Sequence, residues 1–242
     1  MKKIKIITLC VCLLFSFKSQ AQKNNGVVAA VAGIAAIGSA IAINAQMKEM
    51  AELKATEWLL NAHPEFTSFS LKTLDFDAKK SKDASAVSIV TYKVQLFTPS
   101  KEPELDGKKY VLFAFLSHGW VSQNGLDFNK FMWHLVDETE WLNMMTSYVK
   151  VSSDEKNIEA ITRTLKRGKI VNKGVRIKSK LVLPFYKLEG DMYVVTDYSD
   201  MMKLLYNENS LGIYLKRTRN LVQIGRGDII EIHDFLVDEN NN

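Results

Sequence analysis

A chain of 242 residues with 47% apolar side chains can bury one substantial core, and 24% charged residues place it with globular rather than disordered proteins. The net charge of +5 does not call for an acidic partner, because Lys2, Lys3, Lys5 and Lys18 supply four of its units from a segment that reads as a leader. Cys10 and Cys12 lie in the same segment, so a processed chain has no disulfide, no cysteine nucleophile and no zinc site with a cysteine ligand.

Residues 1–21 have the three parts of a secretory signal peptide: a lysine-rich start, an apolar run from Ile6 to Phe17, and small residues at Ser19 and Ala21. The apolar run is too short to span a bilayer, which takes about 20 residues. Cleavage is expected after Ala21, with export to the periplasm, the cell envelope or the medium. Leu9 and Val11 precede the two cysteines where a lipoprotein signal needs a small residue.

Residues 22–62 form the next segment. From Gly26 to Ile43 the chain carries no charge and is built from seven Ala, four Ile, three Val, three Gly and one Ser. As a helix it spans about 27 Å, slightly less than the hydrocarbon thickness. Ala32, Ala36 and Ala40 recur every four residues, with Gly33 extending the small surface, and such a ridge lets two helix backbones approach closely. The segment is a candidate for membrane association or self-association through residues 26–44; the alternative is a helix packed in the protein's own core. The helix is expected to continue to about Ala62, with Met47, Met50, Leu53, Trp58 and Leu60 on its apolar side. Pro64 ends it, leaving His63 as a helix-end residue.

Residues 63–242 read as one α+β domain. Strands are expected at 69–76, 87–97 and 110–116, separated by a charged turn at 79–83 and by the Pro99, Pro103 and Asp106-Gly107 loop. Asp127 then reads as the N-cap of a helix reaching Met145 through Phe128, Phe131, Met132, Leu135 and Trp141. Ser153 or Asp154 is expected to cap a second helix ended by Gly168. Short strands follow at 170–178, 181–188, 192–197, 211–217, 220–225 and 228–236. Turns are placed at 188–191 and 225–228, with a short helix near 199–206. A mostly antiparallel sheet with helices on one side is the expected architecture, behind a long N-terminal helix.

No motif carries a strong chemical signal. His118, just after an apolar strand, has Asp127 as a possible orienting acid, but no nucleophile motif accompanies it. On a helix, His134, Asp137 and Glu138 would share one face and could offer a metal an imidazole and carboxylates; surface ion pairing is the simpler reading. His233, in an alternating stretch, reads as an outward-facing strand residue. Gly225 and Gly227 precede a strand, so they do not make a phosphate loop. Residues 163–180 hold eight basic side chains and no acid. Arg176, Lys178 and Lys180 would line one strand face able to meet an anionic surface. Without aromatic interleaving, nucleic acid is not expected as a partner, and no cofactor is expected. The function these features favour is a non-enzymatic cell-envelope protein held at a membrane or in an assembly by its Ala/Gly-rich helix. The alternatives are an exported hydrolase using His118 or the His134 cluster, and a soluble periplasmic or secreted binding domain.

Overall fold

The structure is a computed structural model, and it describes residues 40–76, 87–122, 125–185, 193–207 and 209–237. The expected leader, the ridge residues Ala32, Gly33 and Ala36, the turns expected at 79–83 and 188–191 and the residues after 237 lie outside the described residues. It is a mixed α+β protein with antiparallel sheets.

Helix α1 (Ala40–Ala62) ends where His63 and Pro64 leave helical geometry. Three strands follow: β1 (Phe69–Phe76), β2 (Ser88–Leu96) and β3 (Lys109–Leu116), close to their expected bounds. The loop from β2 to β3 closes where the Gly107 N–H donates to the Leu96 carbonyl at 3.0 Å. A Cβ on Gly107 would sit 2.5 Å from that oxygen, so only glycine fits there. After the short ribbon of β4 (Val121–Ser122) and β5 (Gly125–Leu126), Asp127 caps only a single 3₁₀ turn, Phe128–Lys130. The chain then runs as β6 (Phe131–Asp137), not as the expected helix. Phe131, Trp133 and Leu135 face one way and Met132, His134 and Val136 the other. Both faces are apolar, so the stretch satisfies helical spacing and strand alternation equally well. Pairing with β3, Phe113 opposite His134, decides for the strand.

These four strands make one sheet in the order β1-β2-β3-β6. It is a middle layer. Val111, Phe113 and Phe115 of β3 enter one apolar cluster, and Leu112, Ala114 and Leu116 enter another on the opposite face. That explains the unbroken apolar run of β3, which a half-exposed antiparallel strand would not have. Helices therefore lie on both faces of this sheet, not on one side: α1 covers the second cluster, and α2 and α4 cover the first.

Helix α2 (Glu138–Ser153) starts at Asp137, whose carboxylate accepts the Glu140 N–H at 2.8 Å. It ends at Asp154, which is left-handed at φ 56°, so Ser153 and Asp154 close one helix instead of opening the next. Asn157 caps α3 (Ile158–Arg167) through the Ala160 N–H, and Gly168 ends it as expected. Because Asp137 rather than Asp127 carries the long helix, Asp137→Ala should cost about 1 kcal/mol and Asp127→Ala less, read as urea midpoints. Equal losses would contradict this assignment of caps.

A three-stranded sheet comes next: β7 (Lys169–Val171), β8 (Gly174–Ile177) and β9 (Lys180–Pro184). The second four-stranded sheet joins β10 (Val194–Asp197), β11 (Met202–Tyr206), β12 (Ser210–Leu215) and β13 (Asn220–Gly225) in sequence order. The short helix expected at 199–206 is thus β11. The final stretch, expected as a strand, is helix α4 (Arg226–Val237). Its buried residues Ile229, Ile232, His233, Leu236 and Val237 recur at helical spacing, which outweighs the local alternation around Ile230 and Ile232.

Candidate functional site

The structure disperses the titratable groups that the sequence singles out. His118 is exposed on the turn after β3, beside Gly119 at φ 79°. The Asp127 carboxylate, its candidate partner, instead accepts the Asn129 N–H at 3.1 Å. His134 does not share a helix face with Asp137 and Glu138, because it lies on β6 while Asp137 caps α2 and Glu138 begins it. Glu138 pairs with Lys166 at 2.9 Å. The His134 Nε2 is buried without a hydrogen-bond partner among the described residues, and burial draws its pKa below the ordinary value, against the opposing pull of Glu140. Glu140 in turn accepts the Tyr198 hydroxyl at 2.6 Å, and burial with that bond pushes the phenol's pKa up. Among the described residues no three His, Cys, Asp or Glu side chains gather to hold a metal ion.

His233 is not an outward-facing strand residue. It is 2% exposed, on the inner side of α4. Its Nδ1 accepts the Trp141 indole N–H at 3.0 Å, so the proton sits on Nε2, which donates to the Leu165 carbonyl at 2.9 Å. One imidazole thereby ties α2, α3 and the C-terminal helix together. His63 is a helix-end residue as expected: its ring stacks on Phe66 at 4.9 Å and meets Trp58 edge-on at 5.5 Å.

The basic residues fall in a hairpin. Arg176 is on β8, Lys178 stands in the two-residue turn at φ 48°, and Lys180 opens β9. The three do not line one strand face, because the turn reverses the chain at Lys178 and Ser179. They remain exposed and close together at the hairpin's end.

Two concave surfaces adjoin at Gln95 and Lys109, with volumes of about 360 and 540 Å³. The first lies between β2, β3 and α4. There Lys93 meets Glu231 at 2.6 Å, and the Lys93 and Lys109 ammonium groups sit 5.3 and 5.7 Å from the Phe235 ring centre. Lys93 and Glu231 are 138 positions apart, so nothing in the sequence signals this pairing. The larger hollow mixes Lys108 and Lys166 with Asp106, Asp137 and Glu138. Its charges largely offset one another, which does not select an ion of either sign. Deeper, Arg226 at the start of α4 donates to the Tyr206 hydroxyl at 3.0 Å and lies over the Phe185 ring, 5.7 Å from its centre. Burial lowers its pKa from the usual value, and its Nε and Nη2 have no partner among the described residues.

The helix nearest the apolar run buries only part of its expected side: Met47 and Trp58 pack inward, and Leu53 and Leu60 do not. Met47, Ala51, Ala55 and Leu59 of α1 are buried against the first sheet, while Leu53 and Leu60 are 65% and 56% exposed. The sheet already presents Tyr92 and Trp133 there, with Phe66 from the connection before β1, so small residues at 51 and 55 suit it better than leucines. Among the described residues no helix is long and apolar enough to cross a membrane. The protein is thus a mixed α+β domain whose first sheet carries an N-terminal helix on one face and the rest of the core on the other. No protein family, curated protein or solved structure matches the chain.

Proposed function

We propose that the protein is a non-catalytic cell-envelope component, in which residues 26–43 attach the α+β domain to a membrane or to further copies of itself. The observation that carries this reading is the placement of α1. The helix includes Ala40, inside the apolar run, and is bolted to the first sheet by Met47, Ala51, Ala55 and Leu59. Force or position sensed by the apolar run therefore reaches the domain through a packed helix. The histidines support the same reading, since His233 and His63 have structural partners and His134 is an interior residue of β6. Export through the leader supplies the compartment.

The test is fractionation of cells making the wild type or a deletion of residues 26–39, which leaves the described helix Ala40–Ala62 intact. The wild type is expected in the envelope fraction, resisting a carbonate wash, or in a large assembly. The deletion should be released with its melting curve unchanged. Equal behaviour of the two proteins would sink the reading.

A further inference from the structure

We infer that the end of the β8–β9 hairpin is a docking surface for an anionic lipid bilayer. This surface is separate from the N-terminal segment and does not rest on the function proposed for it. The turn residues Lys178 and Ser179 both have positive φ, 48° and 68°, and Ile177 pairs with Lys180 across them. Such a two-residue turn matches strand twist and holds the tip in a defined shape. Around it Arg176, Lys178 and Lys180 are exposed, with Lys173 at the opposite end of β8.

Charge makes the surface selective. Two neighbouring cations are held by carboxylates: Lys169, across the ladder from Arg176, meets Asp234 at 3.0 Å, and Lys166 on α3 meets Glu138 at 2.9 Å. Among the described residues Arg176, Lys178, Lys180 and Lys173 have no such partner; the Arg176 guanidinium only donates to the Ser179 carbonyl at 3.4 Å. Leu181, paired with Arg176 across the hairpin, is 41% exposed, and on the other face Ile177, paired with Lys180, is half-buried. Cations around an exposed aliphatic side chain suit a bilayer surface, where ammonium and guanidinium groups meet phosphates while leucine enters the boundary region. The tip has no aromatic ring for stacking on bases, which disfavours nucleic acid.

The experiment is cosedimentation of the purified protein, N-terminal segment in place, with phosphatidylcholine vesicles containing or lacking phosphatidylglycerol. The uncharged run at 26–43 contributes equally to both vesicles, so the increment due to anionic lipid isolates the hairpin. Wild type should partition more strongly onto the anionic vesicles, and salt should reduce the difference. Arg176→Glu, Lys178→Glu and Lys180→Glu together should lower that partition by roughly a hundredfold. Lys178→Ala alone, in an exposed turn that leaves folding intact, should lower it about fivefold. Leu181→Ser should weaken partition onto the anionic vesicles by a factor that salt does not change. The inference is overturned if wild type has no such increment, or if the triple variant keeps it with an unchanged melting curve. It is equally overturned if soluble polyglutamate of matched charge displaces the protein from vesicles as well as added anionic vesicles do, since the surface would then recognise an acidic chain.

Discussion

His233→Leu should lower stability by about 3 kcal/mol, or roughly 10 °C in melting temperature for a protein of this size. Leucine fills much of the imidazole's volume, so the loss comes mainly from polar groups. The Trp141 N–H would be left unpaired within the core, costing about 1–3 kcal/mol, and the Leu165 carbonyl would keep only the long bond from the Gly168 N–H at 3.4 Å, a smaller loss. The same residue predicts a pH response. Burial is the largest influence on His233 and lowers its pKa; the Leu165 hydrogen bond and nearby Asp234 and Glu138 pull the other way without reversing it. A histidine kept neutral in the folded state contributes stability that is fully present above the unfolded pKa of about 6.5. That contribution is lost as the pH falls from there toward the depressed folded value. His134, lowered chiefly by burial, acts in the same direction. Wild type should therefore melt lower at about pH 5 than at about pH 7.5, and the His233→Leu variant should show a smaller drop. An unchanged slope in the variant would mean that His233 does not titrate as this geometry requires.

Ala55→Leu should cost about 2–3 kcal/mol, because the added carbons enter a closed gap between α1 and the first sheet. Ala55 is fully buried, and the cluster around it includes Tyr92, Leu112 and Trp120, with Trp133 packed on its edge. The helix would have to tilt or lift, loosening Met47, Ala51 and Leu59 as well. Leu53→Ala, on the same helix but 65% exposed, should change stability by less than about 0.5 kcal/mol. Thermal melts of the two variants decide which face of α1 is inside. Were Leu53→Ala the costly change and Ala55→Leu the mild one, the register of α1 would be that expected from side-chain size alone. The pair also bears on attachment. If α1 transmits the position of the apolar run, loosening it should weaken the envelope association of the domain without altering residues 26–39.

Several elements were legible in the sequence because local chemistry and tertiary environment agree. The ends of α1 and α3 are written by Pro64 and Gly168. Strands β1, β2, β3 and β13 combine β-branched or aromatic runs with turn residues on either side. The α+β class follows from that order of elements. The exposed basic cluster was also visible, since no acid interrupts residues 163–180.

Other assignments needed the fold. Whether Phe131–Asp137 is helix or strand depends on β3 beside it, since a segment apolar on both faces has no informative period. His233 became a core residue because α4 turned its alternating stretch into a helical one, with Trp141 and Leu165 waiting 92 and 68 positions away. On α1, Met47 and Trp58 pack inward as their hydrophobicity implies, but Ala51 and Ala55 take inner positions while Leu53 and Leu60 stay outside, for a related reason. Amphipathic reading ranks positions by hydrophobicity, yet a helix lying on a sheet rich in large rings packs best with its smallest residues inward. Chain composition thus determined which segments could be buried. The shape of the surface that each one met decided which side of it was.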